Sequence, residues 1–188
     1  MSDPKITSRK RTRISAWVEI IEREVDFGKG AARELYHAIA QSDYIAIVAR
    51  TPDGRFPIVR QYRPAVEGFT WEFPAGMADP GEDPAETCKR ELLEETGYPA
   101  RSVHALGSYA ACTARLSNRI HSFFVETGEP NAAAKTEPDI ELKLVTAAEL
   151  ADLMRSGAFT LQLHIAALML AGTSGFIDLR AFQLRKTP

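Results

Sequence analysis

One stretch constrains this chain more than any other: Gly76 to Tyr98, which reads Gly-Met-Ala-Asp-Pro-Gly-Glu-Asp-Pro-Ala-Glu-Thr-Cys-Lys-Arg-Glu-Leu-Leu-Glu-Glu-Thr-Gly-Tyr. The pattern is a turn leading into a helix with both ends specified. Asp83 can cap it, Pro84 suits the first helical position, Glu86 fits the third position of a capping box, and Gly97 can take the left-handed stop. Ala85, Cys88 and Leu92 form its apolar stripe at the 3.6-residue period. Glu91, Glu94 and Glu95 fall within one turn of one another, with Glu95 at the edge of that stripe, so like charges gather beside the core.

Carboxylates at that spacing oppose each other by roughly 0.2–0.5 kcal/mol per pair in water, and by more as solvent leaves. A cation offsets that repulsion. Hard oxygen ligands suit Mg²⁺ or Mn²⁺, and Mg²⁺ is commonly held by one or two carboxylates together with substrate phosphates and water. A phosphorylated substrate follows. The alternative for any Glu-rich helix is a solvated acidic face with Lys89 and Arg90 as surface partners, and the phase of the apolar stripe argues against it.

At 188 residues and 45% hydrophobic content, the length fits one globular domain with a sizeable core. The net charge of −2 gives no overall footprint for nucleic acid. Lys5, Arg9, Lys10, Arg11 and Arg13 make the N-terminus basic, and they read as a solvated tail rather than a binding arm. No apolar run reaches membrane-spanning length and no charged-then-apolar leader begins the sequence, so no membrane partner and a cytoplasmic location are expected. Cys88 and Cys112 lack metal-finger spacing and read as buried thiols.

Strands are expected over Ser15–Glu22, Leu35–Ile39, Tyr44–Ala49, Phe56–Tyr62, Phe69–Phe73, Ala105–Ala111, Ile120–Glu126 and Glu141–Val145. Pro52-Asp53-Gly54 is a hairpin turn, and glycines at 28 and 30 suggest another. Helical patterns occupy Ala147–Arg155 and Leu161–Leu170, broken at Ser156-Gly157. Strands interspersed with helices point to an α/β class, a mixed sheet covered on its faces. His37, His104, His121 and His164 have no ligand-like partner at helical spacing.

The segment opening this section resembles the Nudix box, G-x5-E-x7-R-E-U-x-E-E-x-G-U, at Gly76, Glu82, Arg90, Glu91, Leu92, Glu94, Glu95 and Gly97. Tyr98 replaces the final aliphatic residue. The resemblance implies the Nudix α/β/α sandwich with a mixed sheet, plus an N-terminal β-hairpin extension. It implies a metal-dependent pyrophosphohydrolase in which Glu91 and Glu95 are direct ligands, Glu94 a ligand or nearby support, and the Ala75 carbonyl a further ligand. Arg90 would hold carboxylate geometry by pairing with Glu94 or Glu86; a plain helix-surface ion pair is the alternative.

Val59-Arg60-Gln61-Tyr62-Arg63-Pro64 and Trp71-Glu72-Phe73-Pro74-Ala75-Gly76 resemble the ADP-ribose pyrophosphatase branch of that family. That branch implies a homodimer sharing the nucleotide site, with residues 1–42 as tail and dimerisation strands and 43–188 as the hydrolase domain. By the same resemblance Arg63 contacts the diphosphate, Trp17 stacks on the base, and Glu72 is a further metal-site or base-contacting residue. Arg63 reads alternatively as a structural salt bridge and Trp17 as core. The general base would come from the loop around Glu137 and Asp139, with Glu141 a further metal ligand. One departure concerns the substrate. Tyr109 to Arg119 lacks the proline common in that branch, and its arginines, Arg115 among them, could bind a terminal sugar or phosphate or face solvent. The expected reaction is Mg²⁺-dependent (or Mn²⁺-dependent) hydrolysis of a nucleoside diphosphate sugar, ADP-ribose first, to AMP and a sugar phosphate. GDP-mannose, a dinucleoside polyphosphate or an oxidised nucleotide stay open as substrates, and a non-catalytic nucleotide sensor is the reading outside enzymology.

Overall fold

The computed structural model describes residues 3–28, 30 and 32–182, and the chain divides into two compact units. The first comprises Met1–Asp43 with Tyr109–Ile120. It holds an antiparallel sheet in the order β1 (Lys5–Arg13), β2 (Glu19–Asp26), β3 (Glu34–Ala40). The basic tail is therefore a strand. Every residue of β1 is exposed, yet two of its cations reach acidic partners on β2: Lys10 pairs with Glu22 at 3.5 Å and Arg11 with Glu19 at 3.1 Å, while the Thr7 hydroxyl donates to Glu24 at 2.9 Å. Opposite charges placed directly across a ladder favour pairing, and no feature local to residues 5–13 carries that information.

The strand expected from Ser15 begins only at Glu19. Residues 15–17 form the bend from β1, where the Ile14 and Ser15 amides both donate to the Val18 carbonyl. Trp17 sits on this bend with 68% of its surface exposed, so it is not a core tryptophan. Gly28 and Gly30 both adopt positive φ on the way from β2 to β3, as the expected hairpin requires. Ile21 and Ala38 face each other across β2 and β3 and are the buried apolar pair of this sheet. The segment without proline joins the same unit: Ile39 donates to the Arg115 carbonyl at 2.8 Å, and Ser117 donates back to Ile39 at 3.0 Å.

The second unit, Tyr44–Ser108 with His121–Pro188, is built on β4 (Tyr44–Arg50), β5 (Phe56–Arg63), β6 (Gly68–Glu72), β7 (Ala75–Met77), α1 (Pro84–Thr96), β8 (Ala100–Ala110), β9 (Arg119–Thr127), β10 (Glu141–Val145), α2 (Ala147–Ser156) and α3 (Gln162–Thr173). Two sheets result, ordered β7-β4-β9-β8 and β10-β5-β6. The expected elements are all present, and β8 starts five residues earlier than the apolar pattern suggested because its first half alternates buried and exposed positions only weakly. Ile45, Ile47 and Ala49 turn to one face of β4 by strict alternation and meet Cys88 and Leu92 of α1, with Phe123 and Val125 of β9 beside them. Ala46 and Val48 are equally buried on the other face, and α3 lies against β4. A sheet apolar on both faces takes a helix on each, giving the α/β/α sandwich expected. Cys88 is buried in this core, and burial pushes its thiol up to about 12, which makes it inert. Cys112, expected to be buried, is only partly covered. Among the described residues, no helix is long and apolar enough to cross a membrane.

Candidate active site

The helix α1 starts and stops where its sequence dictates. The Asp83 carboxylate accepts from the Ala85 and Glu86 amides at 2.9 and 3.3 Å, Pro84 follows, and Gly97 closes the helix at φ 73° with its amide on the Leu93 carbonyl. Glu86 does not complete a capping box; it accepts from Lys89 Nζ at 2.6 Å instead. With Cys88 and Leu92 seated in the core, the rotation of α1 is fixed. Glu91 and Glu95 are consequently carried to the buried margin, at 9% and 5% exposure.

What they meet there is the turn from β6 to β7. The Ala75 amide donates to Glu95 Oε2 at 2.9 Å. Gly76 lies directly against Glu91, and a Cβ built on it would stand 2.1 Å from the Glu91 carboxyl carbon. The glycine of the box is thus an absence of side chain that Glu91 fills. Arg90 holds three carboxylates at once: Nε and Nη2 fork onto Glu82 at 3.1 and 3.0 Å, while Nη1 reaches Glu91 at 2.9 Å and Glu94 at 3.1 Å. Glu94 was an expected partner; Glu86 is replaced by Glu82, which reaches back from the loop before the helix. The Arg90 contact holds Glu82 down at about 2. Arg90→Ala is expected to lower kcat about 10–100-fold with a smaller change in KM, because three carboxylates lose their common anchor. Arg90→Lys should recover only part of it, since an ammonium cannot fork. Steady-state kinetics decide, and full activity of Arg90→Ala would remove the anchoring role.

A further carboxylate comes from the loop after β9. The Glu137 amide donates to the Glu94 carbonyl at 3.1 Å, and the Asn131 amide to Gly97, so this loop is tied to the C-terminal end of α1. Glu91, Glu94 and Glu137 each place an oxygen within 4.8 Å of the others. Burial raises Glu91 above the usual carboxylate range although Arg90 opposes it. Glu95 is pushed up to about 8 by burial, against the Ala75 amide and with the Glu91 and Glu137 charges adding to the rise. Crowded, partly dehydrated carboxylates that resist ionising together are a donor set for a hard divalent cation. The set fits Mg²⁺ or Mn²⁺ on chemistry and on the cradle at Gly76.

Other candidates are placed as follows. Asp139 is exposed, two residues beyond Glu137, and among the described residues it is not part of the cluster. Glu141 is also outside the cluster: the β10–β5 register sets it opposite Arg60, which donates to it at 3.0 Å. Arg63 and Glu72 form a fork-to-fork pair, with Nε at 2.9 Å and Nη2 on the second oxygen, and the Thr70 hydroxyl adds 2.6 Å to Glu72. Burial works to raise Glu72, but Arg63 and Thr70 prevail and hold it below the usual range. The Arg63 charge also acts on Glu95. Trp17 and Arg115 belong to the N-terminal unit. Arg115 there lines a hollow of about 530 Å³ with Arg23, Phe27, Tyr36 and His37.

Two residues next to the site carried no warning in the sequence. His164 on α3 is wholly buried, its Nδ1 accepting from the Phe73 amide at 3.1 Å, and Tyr44 Oη stands 3.4 Å from Nε2. The i, i+3 and i, i+4 neighbours of His164 offered no cue, because its partners lie on β4 and in the turn after β6. Burial lowers His164 to about 3, with Glu72 opposing and Arg63 reinforcing the drop. Its folded value lies below the unfolded one near 6.5, so its contribution to stability is complete above pH 6.5 and is lost as pH falls toward 3. Chemical denaturation from pH 7 to pH 4 should show the loss, at up to about 1.4 kcal/mol per pH unit, and His164→Asn should flatten it.

A family model described as NUDIX domain matches residues 41–162. An ADP-ribose pyrophosphatase of Bacillus subtilis is 32% identical over 113 residues, 60% of this chain and 58% of that protein. An ADP-ribose pyrophosphatase of Mycobacterium tuberculosis is 32% identical over 143 residues, 72% of this chain and 69% of that one. A crystal structure of an ADP compounds hydrolase shares the fold with a TM-score of 0.76 at 22% identity, covering 94% of this chain and 98% of that one.

Proposed function

Because the chain belongs to the NUDIX domain family, we propose that it hydrolyses the pyrophosphate bond of a nucleoside diphosphate sugar, ADP-ribose first among them, releasing AMP and a sugar phosphate. The observation that carries this reading is the meeting of Glu91, Glu94 and Glu137 within 4.8 Å beside Gly76. The relatives named as ADP-ribose pyrophosphatases support the substrate.

In this reading Glu91, Glu94, Glu95 and the Ala75 carbonyl hold Mg²⁺ or Mn²⁺. Bound there, such an ion neutralises phosphate oxygens and makes a water nucleophilic near neutral pH. Glu137 accepts the proton of that water, its loop being anchored to α1 through Glu94, and Asp139 is the second acid of the same loop. Arg90 holds Glu82, Glu91 and Glu94 on one guanidinium and keeps them aimed. Arg63, steadied by Glu72, presents a guanidinium to the diphosphate. Trp17 offers an exposed flat ring for the base, and Arg115 a cation for the terminal phosphate or sugar. We further propose a cytoplasmic homodimer formed through the N-terminal strands, where Ile6, Trp17, Leu35 and Tyr36 are exposed apolar surface.

The test is a panel of ADP-ribose, ADP-glucose, GDP-mannose, a diadenosine polyphosphate and an oxidised nucleotide, assayed with Mg²⁺, Mn²⁺ and chelator. Metal-dependent release of AMP from ADP-ribose is expected. Turnover of another member alone would keep the chemistry and move the substrate. Silence across the panel would overturn the hydrolase in favour of a nucleotide sensor. Sedimentation of the intact protein checks the dimer.

A further inference from the structure

We propose that His164 is a positioning residue of the site, holding from α3 the turn against which Glu91 and Glu95 are seated. The proposal rests on the hydrolase reading above. Residues 73–76 serve the carboxylates with backbone alone: the Ala75 amide binds Glu95 and the bare Cα of Gly76 admits Glu91. Their placement therefore depends on what fixes the turn. Ile47 on β4 donates to the Pro74 carbonyl at 3.1 Å, Ala75 pairs with Ala46, and the Phe73 amide donates to His164 Nδ1. Of these three ties, only the last is made by a side chain.

The chemistry of that tie is specific. A ring nitrogen that accepts from an amide is unprotonated, so the imidazole is neutral with its proton on Nε2, facing Tyr44 Oη. The ring is enclosed by aromatic groups, with centroids at 6.0 Å to Tyr44, 6.0 Å to Phe73 and 6.3 Å to Phe159. An apolar ring would fill this space equally well. What it would lack is the acceptor, and Phe73 is itself fully buried, so its amide would be left without a partner. A turn freed in this way can relieve the deficit by moving, and movement of Ala75 and Gly76 displaces both carboxylates. His164 never touches metal or substrate; it acts through the backbone between Phe73 and Gly76.

The variants that separate these contributions are His164→Phe, which keeps ring and volume, His164→Asn, whose amide oxygen can take the place of Nδ1, and His164→Gln, which reaches past it. Each is made in the full chain. Mn²⁺ binding is read by electron paramagnetic resonance without substrate, and kcat and KM with ADP-ribose are read separately. His164→Phe is expected to weaken Mn²⁺ about tenfold and lower kcat about tenfold, with KM within threefold. His164→Asn should stay within threefold of the original protein on all three. Should His164→Phe not fold, the comparison of Asn with Gln decides: Asn close to the original with Gln impaired supports the proposal. Unchanged Mn²⁺ affinity and kcat in His164→Phe, or equal impairment in Asn and Gln, overturns it. The unsubstituted protein is the control for the parent reading: if it neither binds Mn²⁺ nor turns over substrate, the hydrolase reading fails and the proposal falls with it. If it does both, only the His164 assignment is at stake.

Discussion

Gly76→Ala is expected to cut kcat by at least about 100-fold while leaving the protein folded. The physical cause is a collision rather than backbone strain, for Gly76, unlike Gly97, does not adopt a positive φ. An added Cβ would lie 2.1 Å from Glu91 Cδ and Oε1 and 2.5 Å from Oε2. Neither side can yield freely. The glycine is paired with Ile45 on β4 and the glutamate is braced by Arg90. The contact is relieved only by moving the carboxylate out of the cluster, and a displacement on the order of 1 Å can cost about 10²-fold in rate. Kinetics with saturating Mg²⁺ provide the measurement, alongside a melting curve to show that the fold survives. A variant within threefold of the original would mean that Glu91 has no need of its cradle.

The second large effect is expected from Glu95→Gln, and it divides function from stability. A glutamine can still accept the Ala75 amide, so the turn keeps its tie, but the negative charge is gone. Turnover should fall about 10²–10³-fold with substrate affinity nearly unchanged, which a pure sensor could not show because it has no turnover to lose. Stability should move the other way. The Glu95 carboxyl is raised to about 8 in the folded, metal-free protein against 4.5 when unfolded. Stability from the protonated group is thus full below pH 4.5 and drains as pH rises through 8, by up to about 1.4 kcal/mol per pH unit. Glu95→Gln removes that loss, so above pH 8 the metal-free variant should melt higher than the metal-free original. Mg²⁺ should raise the melting temperature of the original and leave the variant largely unmoved. If Mg²⁺ stabilises both alike, Glu95 does not hold the ion.

The parts of the molecule that were legible from sequence are those whose causes are local. Asp83, Pro84, Gly97 and the Ala85, Cys88, Leu92 stripe define α1 within fifteen residues, and the structure follows them. Apolar runs placed the expected strands of the second unit to within a few residues, apart from the start of β8, which lies five residues earlier. What escaped depends on partners far along the chain. Residues 5–13 form a strand by pairing along β2, where Glu19 and Glu22 take Arg11 and Lys10, and a cationic run alone reads as a tail. Arg90 finds Glu82 because the loop before α1 folds back, which helical spacing cannot show. Glu141 faces Arg60 through a register between β10 and β5 that neither strand specifies alone. His164 serves a backbone amide 91 residues away, and no side-chain motif encodes an amide. Glu137, expected by family resemblance as a candidate general base, stands within the carboxylate cluster itself, which its spacing did not show.

The charged outer strand has a consequence for self-association. β1 is the edge of its sheet, and an edge strand carries a row of backbone donors and acceptors free to recruit another strand. Its sequence puts Lys5, Arg9, Lys10, Arg11 and Arg13 along that edge, and every one of them is exposed. A second copy pairing β1 to β1 would bring cation against cation, so continuous sheet growth from protein to protein is disfavoured at this border. Salt would screen this protection, and replacement of those cations by threonine would remove it.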